Sequence, residues 1–175
     1  MFQDISNISN NTDLIYIITA VFIIDLIVIL IAKNTSIFRK QINVWYDKLG
    51  MTAVLLDVTI IVIGFLITRY IFSLLNIPFN SLYFVILAVI VQLIHDTLLY
   101  LLIIKPTSYG INQVIDIYKD YAKENGSDII IADSLMVIGS ALIAMYLKNH
   151  DMHVTTTLLI LTIYTIPYII YIKSK

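Results

Sequence analysis

The stretch 81–104, SLYFVILAVIVQLIHDTLLYLLII, constrains the chain more than any other. As a helix rising about 1.5 Å per residue it is long enough to cross a hydrocarbon core about 30 Å thick. Yet it carries Gln92, His95 and Asp96 among its apolar residues. Side chains three and four apart share one helix face, so these three form a polar stripe on an apolar rod. Ionisable groups at that depth cost free energy unless something receives them, and the rest of the chain is therefore expected to pack around the stripe.

Four further apolar runs, 14–32, 51–75, 129–147 and 154–172, have similar length. With 59% hydrophobic and only 13% charged residues, the composition is that of a membrane protein rather than a soluble domain. The five runs leave no room for a separate soluble domain. The expected fold class is all-α, a single polytopic domain over residues 1–175, built as an integral membrane bundle of five transmembrane helices.

Two segments between the runs are too polar to span. In 36–48 and just beyond, Phe38, Ile42, Trp45 and Leu49 recur at helical spacing. In 111–124, Ile111, Val114, Ile115, Tyr118 and Tyr121 oppose Asn112, Asp116, Lys119, Asp120 and Lys123. Both read as short interfacial amphipathic helices. Trp45 with Tyr46 reads as an interface anchor, and Tyr118, Lys119 and Tyr121 as residues available to lipid headgroups or a partner. Gly64 suits a close helix approach, and Gly139, Ser140, Ala141 and Ala144 place the fourth span inside the bundle.

Charge sets the expected orientation. With the N-terminus outside, Lys33, Arg39, Lys40, Lys48, Lys105, Lys119, Lys123, Lys173 and Lys175 all fall on the inner side, and only Lys148 lies in an outer loop. The positive-inside rule favours that arrangement, with a cytoplasmic C-terminus. The start of the chain has no Lys or Arg before the first run and does not read as a cleavable signal peptide. Arg69 is expected near the outer interface, where a long side chain snorkels. Asn7 and Asn10 stand in N-x-S/T sequons on the outer tail.

Counted from the inner end of each span, Asp25, Asp57 and Asp96 lie about 12 Å deep and Asp133 about 6 Å deep. Four carboxyl groups and His95 are thus expected in one layer. Each Asp at a helix centre costs about 2.5–3.5 kcal/mol, so the four together approach about 10 kcal/mol before partners are counted. Such a layer, supported by Gln92 and Arg69, can share protons or hold a cation against carboxylates. The competing reading is interhelical glue, in which each carboxyl is hydrogen-bonded to the next helix and nothing moves.

Catalytic motifs are scarce: there is no G-x-S-x-G, no H-E-x-x-H and no phosphate loop. With no cysteine, thiol chemistry is excluded. An intramembrane metal-assisted enzyme built on His95 is the least favoured class, the metal ligands are left open, and no cofactor is expected. The few basic residues form no stripe for nucleic acid, so the expected partners are the lipid bilayer and either a second copy or a membrane complex.

At NVWYDKLG (43–50), the pair His95–Asp96, KDYA (119–122) and ADS (132–134), the chain resembles small multi-spanning membrane proteins encoded by nucleocytoplasmic large DNA viruses. Its Ile, Asn, Tyr and Lys usage suits an AT-rich genome of that kind. The resemblance implies residence in an internal virion membrane or a host membrane, with a structural or assembly role. Two functions are therefore carried forward, a proton- or cation-handling protein and a viral membrane component.

Overall fold

The structure, a computed structural model, describes residues 2–35 and 40–172, apart from the side chains of Lys40, Gln41 and Ser127. The first four residues of the expected 36–48 helix, including Arg39, and the cations Lys173 and Lys175 lie outside the described residues. Among the described residues seven α-helices follow one another: α1 (Asp13–Asn34), α2 (Lys40–Leu49), α3 (Met51–Leu74), α4 (Ser81–Leu99), α5 (Gln113–Asn125), α6 (Ser127–Leu147) and α7 (Met152–Ile170). There is no strand among the described residues. A π-helical turn, Tyr100–Ile104, prolongs α4. Helices α1, α3, α4 with its π turn, α6 and α7 are long and apolar enough to cross a membrane. Their ends fall within about two residues of the expected spans, as periodic apolar runs of this length allow.

Local chemistry sets the boundaries. Asn80 caps α4 by accepting from the backbone N–H groups of Leu82 and Tyr83, and Asn112 caps α5 through Val114 and Ile115. Neither Thr12 nor Gly126, which precede α1 and α6, supplies a side-chain cap. Between α2 and α3 the chain turns at Gly50 with φ +55°, and the Tyr171 side chain occupies the place a Cβ would take. Only glycine fits that turn without strain.

Four helices close a ring: α1 packs on α3, α3 on α4, α4 on α6, and α6 back on α1. The fifth span, α7, lies outside the ring against α1. Central placement of α1 follows from its sequence, because Ile17, Ala20, Val21 and Ile29 are all fully buried. Small residues bring α6 close: a Cβ on Gly139 would lie 2.8 Å from Ile24 Cδ1, and Ser140, Ala141 and Ala144 are fully buried. Between α3 and α4 the seam is aromatic, with Phe84 stacked on Phe65 and edge-on to Phe72.

The two amphipathic helices pack on each other across one end of the ring. Trp45 meets Tyr118 edge to face, with ring centroids 5.9 Å apart. This lidded end holds the C-terminal end of α1 and the start of α3. The opposite, amino-terminal end is covered by residues 2–12, where Ile5 is fully buried and Gln3 N–H donates to Met145 O.

Candidate functional site

Beneath the lid the ring lines a cavity of about 510 Å³, open on one side. Asp57 from α3, Asp96 from α4 and Asp133 from α6 all line it, with Gln92 beside Asp96. The lid supplies Trp45, Tyr46, Tyr118 and Tyr121. Asp128 stands at the exposed rim. Among the described residues no Lys, Arg or His lines this space. Three of the four carboxyls expected in one layer therefore share one cavity.

The fourth, Asp25 on α1, is fully buried just behind it. Tyr46 Oη donates to Asp25 Oδ1 at 3.2 Å, and Asp25 lies within electrostatic reach of Asp57. Trp45 Nε1 donates to Asp57 Oδ2 at 3.1 Å. Gln92 Nε2 donates to both oxygens of Asp96, at 2.8 and 2.9 Å, as the i, i+4 spacing on α4 permits. His95 Nδ1 lies 3.0 Å from Asp96 Oδ1 but does not line the cavity. Asp133 differs from the others, because it feels Asp96 and Asp57 by charge alone and has no hydrogen-bonding side chain against it.

Gln92 can reach this position because α3 has a glycine opposite. A Cβ on Gly64 would overlap Gln92 Oε1. The side chain is 3% exposed, and that Oε1 has no hydrogen-bond partner. Thr68 on the same side of α3 turns its hydroxyl back to Gly64 O at 2.8 Å.

The lid residues differ from their expected roles. Trp45 and Tyr46 are 7% and 2% exposed, held inward by Asp57 and Asp25 rather than standing as a surface anchor. Tyr118 and Tyr121 line the cavity, so the apolar face of α5 serves the bundle interior. Burial, then the charges of Asp133, Asp96 and Asp57, push the Tyr118 phenol above its usual range; burial, Asp133 and Asp57 do the same to Tyr121. Both hydroxyls stay neutral at physiological pH. Lys119 points away, donating to Thr107 O and lying 4.8 Å over the Tyr109 ring.

Arg69 corrects its expected place. It does not snorkel but is fully buried at the amino-terminal end, donating through Nη2 to Asn7 O and, at 2.8 Å, to Asn10 O. The reason is Asp13, fully buried at the start of α1, 3.9 Å from Arg69 Nη2 and 2.6 Å from Lys148 Nζ. Neither Asp13 oxygen has a well-angled hydrogen bond, so the two cations compensate it by charge. The backbone of the tail is thus bound to the ring, while the side chains of Asn7 and Asn10 accept from Ser9 N and Thr12 N in short local turns. Arg69 is remote from the carboxyl layer it was expected to support.

Sequence reasoning missed Asp13 as the shared partner of Arg69 and Lys148, and Tyr46 as a partner of Asp25. A signal existed for Tyr46: Ile42, Trp45, Tyr46 and Leu49 share one face of α2, so Tyr46 turns wherever Trp45 turns. For Asp13 there was none, because contacts between residues 13, 69 and 148 depend on how the helices are arranged. Among the described residues no three His, Asp or Glu converge closely enough to hold a metal ion. Comparison with protein-family models, with curated proteins and with solved structures finds no match for this chain.

Proposed function

We propose that this chain is a multi-pass membrane protein that handles protons or cations at the lidded cavity. The observation carrying this reading is the charge balance of the cavity wall. Three helices each contribute a carboxyl group, and no Lys, Arg or His among the described residues lines the same space. Carboxylates in a low-dielectric recess focus a negative potential that draws cations; Asp57 and Asp133 have no basic side chain against them, only Asp96 has His95 beside it, and carboxyls inside membrane spans mark proton and cation paths. The positive-inside rule supports a cytoplasmic lidded end, since the connectors there and the C-terminal tail hold nine of the eleven Lys and Arg residues. The testing experiment is a pH jump across liposomes holding the purified chain. Wild type is expected to dissipate the gradient, alone or in exchange for an alkali cation, and Asp96→Asn to slow that flux at least tenfold; wild-type liposomes no leakier than empty ones overturn the reading.

A second reading, a structural component of a virion or host-derived membrane, is favoured by one specific observation. Asp25 and Asp57 each accept a hydrogen bond from a side chain of α2, as interhelical glue does. On that reading the chain co-purifies with a larger membrane assembly and conducts nothing. Asp133 distinguishes the two, because a carboxyl kept for glue has no reason to lack a donor.

A further inference from the structure

We infer that the cavity takes a lipophilic organic cation, an amine or quaternary onium carrying an apolar body, and that Asp133 and Asp96 anchor its charge. This rests on the cation-handling reading above and specifies the ligand.

Size is the first argument. About 510 Å³ falls within the range of roughly 300–1,000 Å³ typical of small-molecule pockets. It equals the share of liquid volume taken by roughly 17 waters at about 30 Å³ each. An inorganic ion would leave most of that space, and most of its apolar wall, to water.

The composition of the wall is the second. The apolar lining includes Val28, Ile60, Ile61 and Met136, and the lid adds an aromatic corner in which Trp45 meets Tyr118, and Tyr118 meets Tyr121, edge to face. Ring faces beside carboxylates are the surroundings in which quaternary ammonium groups are recognised, through attraction to the ring quadrupole. The carboxyls themselves are dispersed over three helices, and among the described residues no three acidic or His side chains meet as metal ligands do. Dispersed charge suits a bulky cation better than a coordinated one.

The carboxyl without a donor gives the third argument. Asp133 lines the cavity, half-buried, with no hydrogen-bonding side chain against it, whereas Gln92 turns its Nε2 to Asp96 and its Oε1 to Gly64. A cationic group seated beside Asp133 supplies the partner that the protein does not. Access fits as well. Ile27, Ile131 and Leu135, 42%, 61% and 63% exposed, are cavity-lining residues on the outward faces of α1 and α6, within the apolar spans. The cavity therefore opens on a flank that lipid would cover, and a ligand soluble in hydrocarbon can enter there.

Trp45 is the only tryptophan in the chain and lines the cavity, so its fluorescence reports occupancy. The full chain in lipid nanodiscs is titrated with tetraphenylphosphonium and, separately, with the anion of equal size, tetraphenylborate. Saturable Trp45 quenching is expected for the cation only, with its apparent Kd raised at least tenfold in Asp133→Asn and in Asp96→Asn and unmoved by millimolar Na⁺, K⁺ or Mg²⁺. Quenching that fails to saturate, that is equal for the anion, that is unchanged in both variants, or that the inorganic ions abolish overturns the inference. The comparison of cation and anion needs only the wild-type chain, so a poorly folding variant does not obscure the result. Absence of saturable binding with pH-driven flux intact removes the ligand class and leaves the parent reading standing; absence of both removes both.

Discussion

At the amino-terminal end of the bundle, Asp13 is fully buried, faced by Arg69 and Lys148, and sealed beneath residues 2–12. At the lidded end, Asp57, Asp96 and Asp133 surround a cavity of about 510 Å³ whose described lining holds no cation. Both ends bury carboxyl groups on helices of the same ring, so hydrophobic context alone does not distinguish them. Compensation does. One end balances its buried carboxylate with two cations and fills its space; the other gives Asp57 and Asp96 hydrogen bonds and a neighbouring His95, leaves Asp133 without a donor, and keeps volume open. A chain that needed only to hold itself together gains nothing from the second arrangement, because an uncompensated carboxyl and an unfilled cavity each reduce stability.

If the contrast is right, substitutions at the two ends separate stability from function. The largest effect is expected at Arg69. Arg69→Ala removes the partner of Asp13 and of two tail carbonyls, and breaking a buried pair of this kind costs about 3–5 kcal/mol. Thermal unfolding of the purified variant in nanodiscs checks it, and Arg69→Lys is expected to recover only part, because an ammonium lacks the planar fork. Next comes Gly64→Ala, whose Cβ overlaps Gln92 Oε1 and forces that side chain to shift from its position beside Asp96. Overpacking there is expected to cost about 1–3 kcal/mol by the same measurement and to reduce flux, since Gln92 holds Asp96.

Smaller still is Trp45→Phe, which keeps an aromatic ring but loses the donor to Asp57. About 1 kcal/mol is expected, read by chemical unfolding followed through tyrosine fluorescence. The smallest stability change belongs to Asp133→Asn. With no hydrogen bond to lose, it is expected to leave the unfolding temperature unchanged or raised, while flux falls at least tenfold. A clear loss of stability in Asp133→Asn would erase the distinction between the two ends.

Much of this architecture was legible in the residues. The five runs stand where expected because a helix across a hydrophobic span has no alternative way to pair its backbone groups. The gathering of Asp57, Asp96 and Asp133 on one cavity was also legible, since counting along antiparallel helices places the three at a similar level. What counting cannot give is rotation and neighbourhood. Asp25 matches Asp57 in depth but turns to Tyr46 behind the cavity. Likewise His95, one residue from Asp96 and so about 100° round the helix, stays outside it. Arg69 was misplaced for a related reason: snorkelling assumes that water is the nearest polar partner, and here a folded tail supplies carbonyls nearer than water.

Because the chain contains no cysteine, the contrast between its ends can be measured directly with single introduced thiols. Ala132→Cys places one on the cavity wall and Ser6→Cys places one within the amino-terminal tail, where Ser6 is 6% exposed. Each is reacted in nanodiscs with a cationic and an anionic methanethiosulfonate of similar size, and the rates are divided by those for free cysteine. The Ala132→Cys thiol is expected to react at least tenfold faster with the cation than with the anion, and the Ser6→Cys thiol to react slowly with both. Equal rates at 132, or a preference there for the anion, would contradict the contrast.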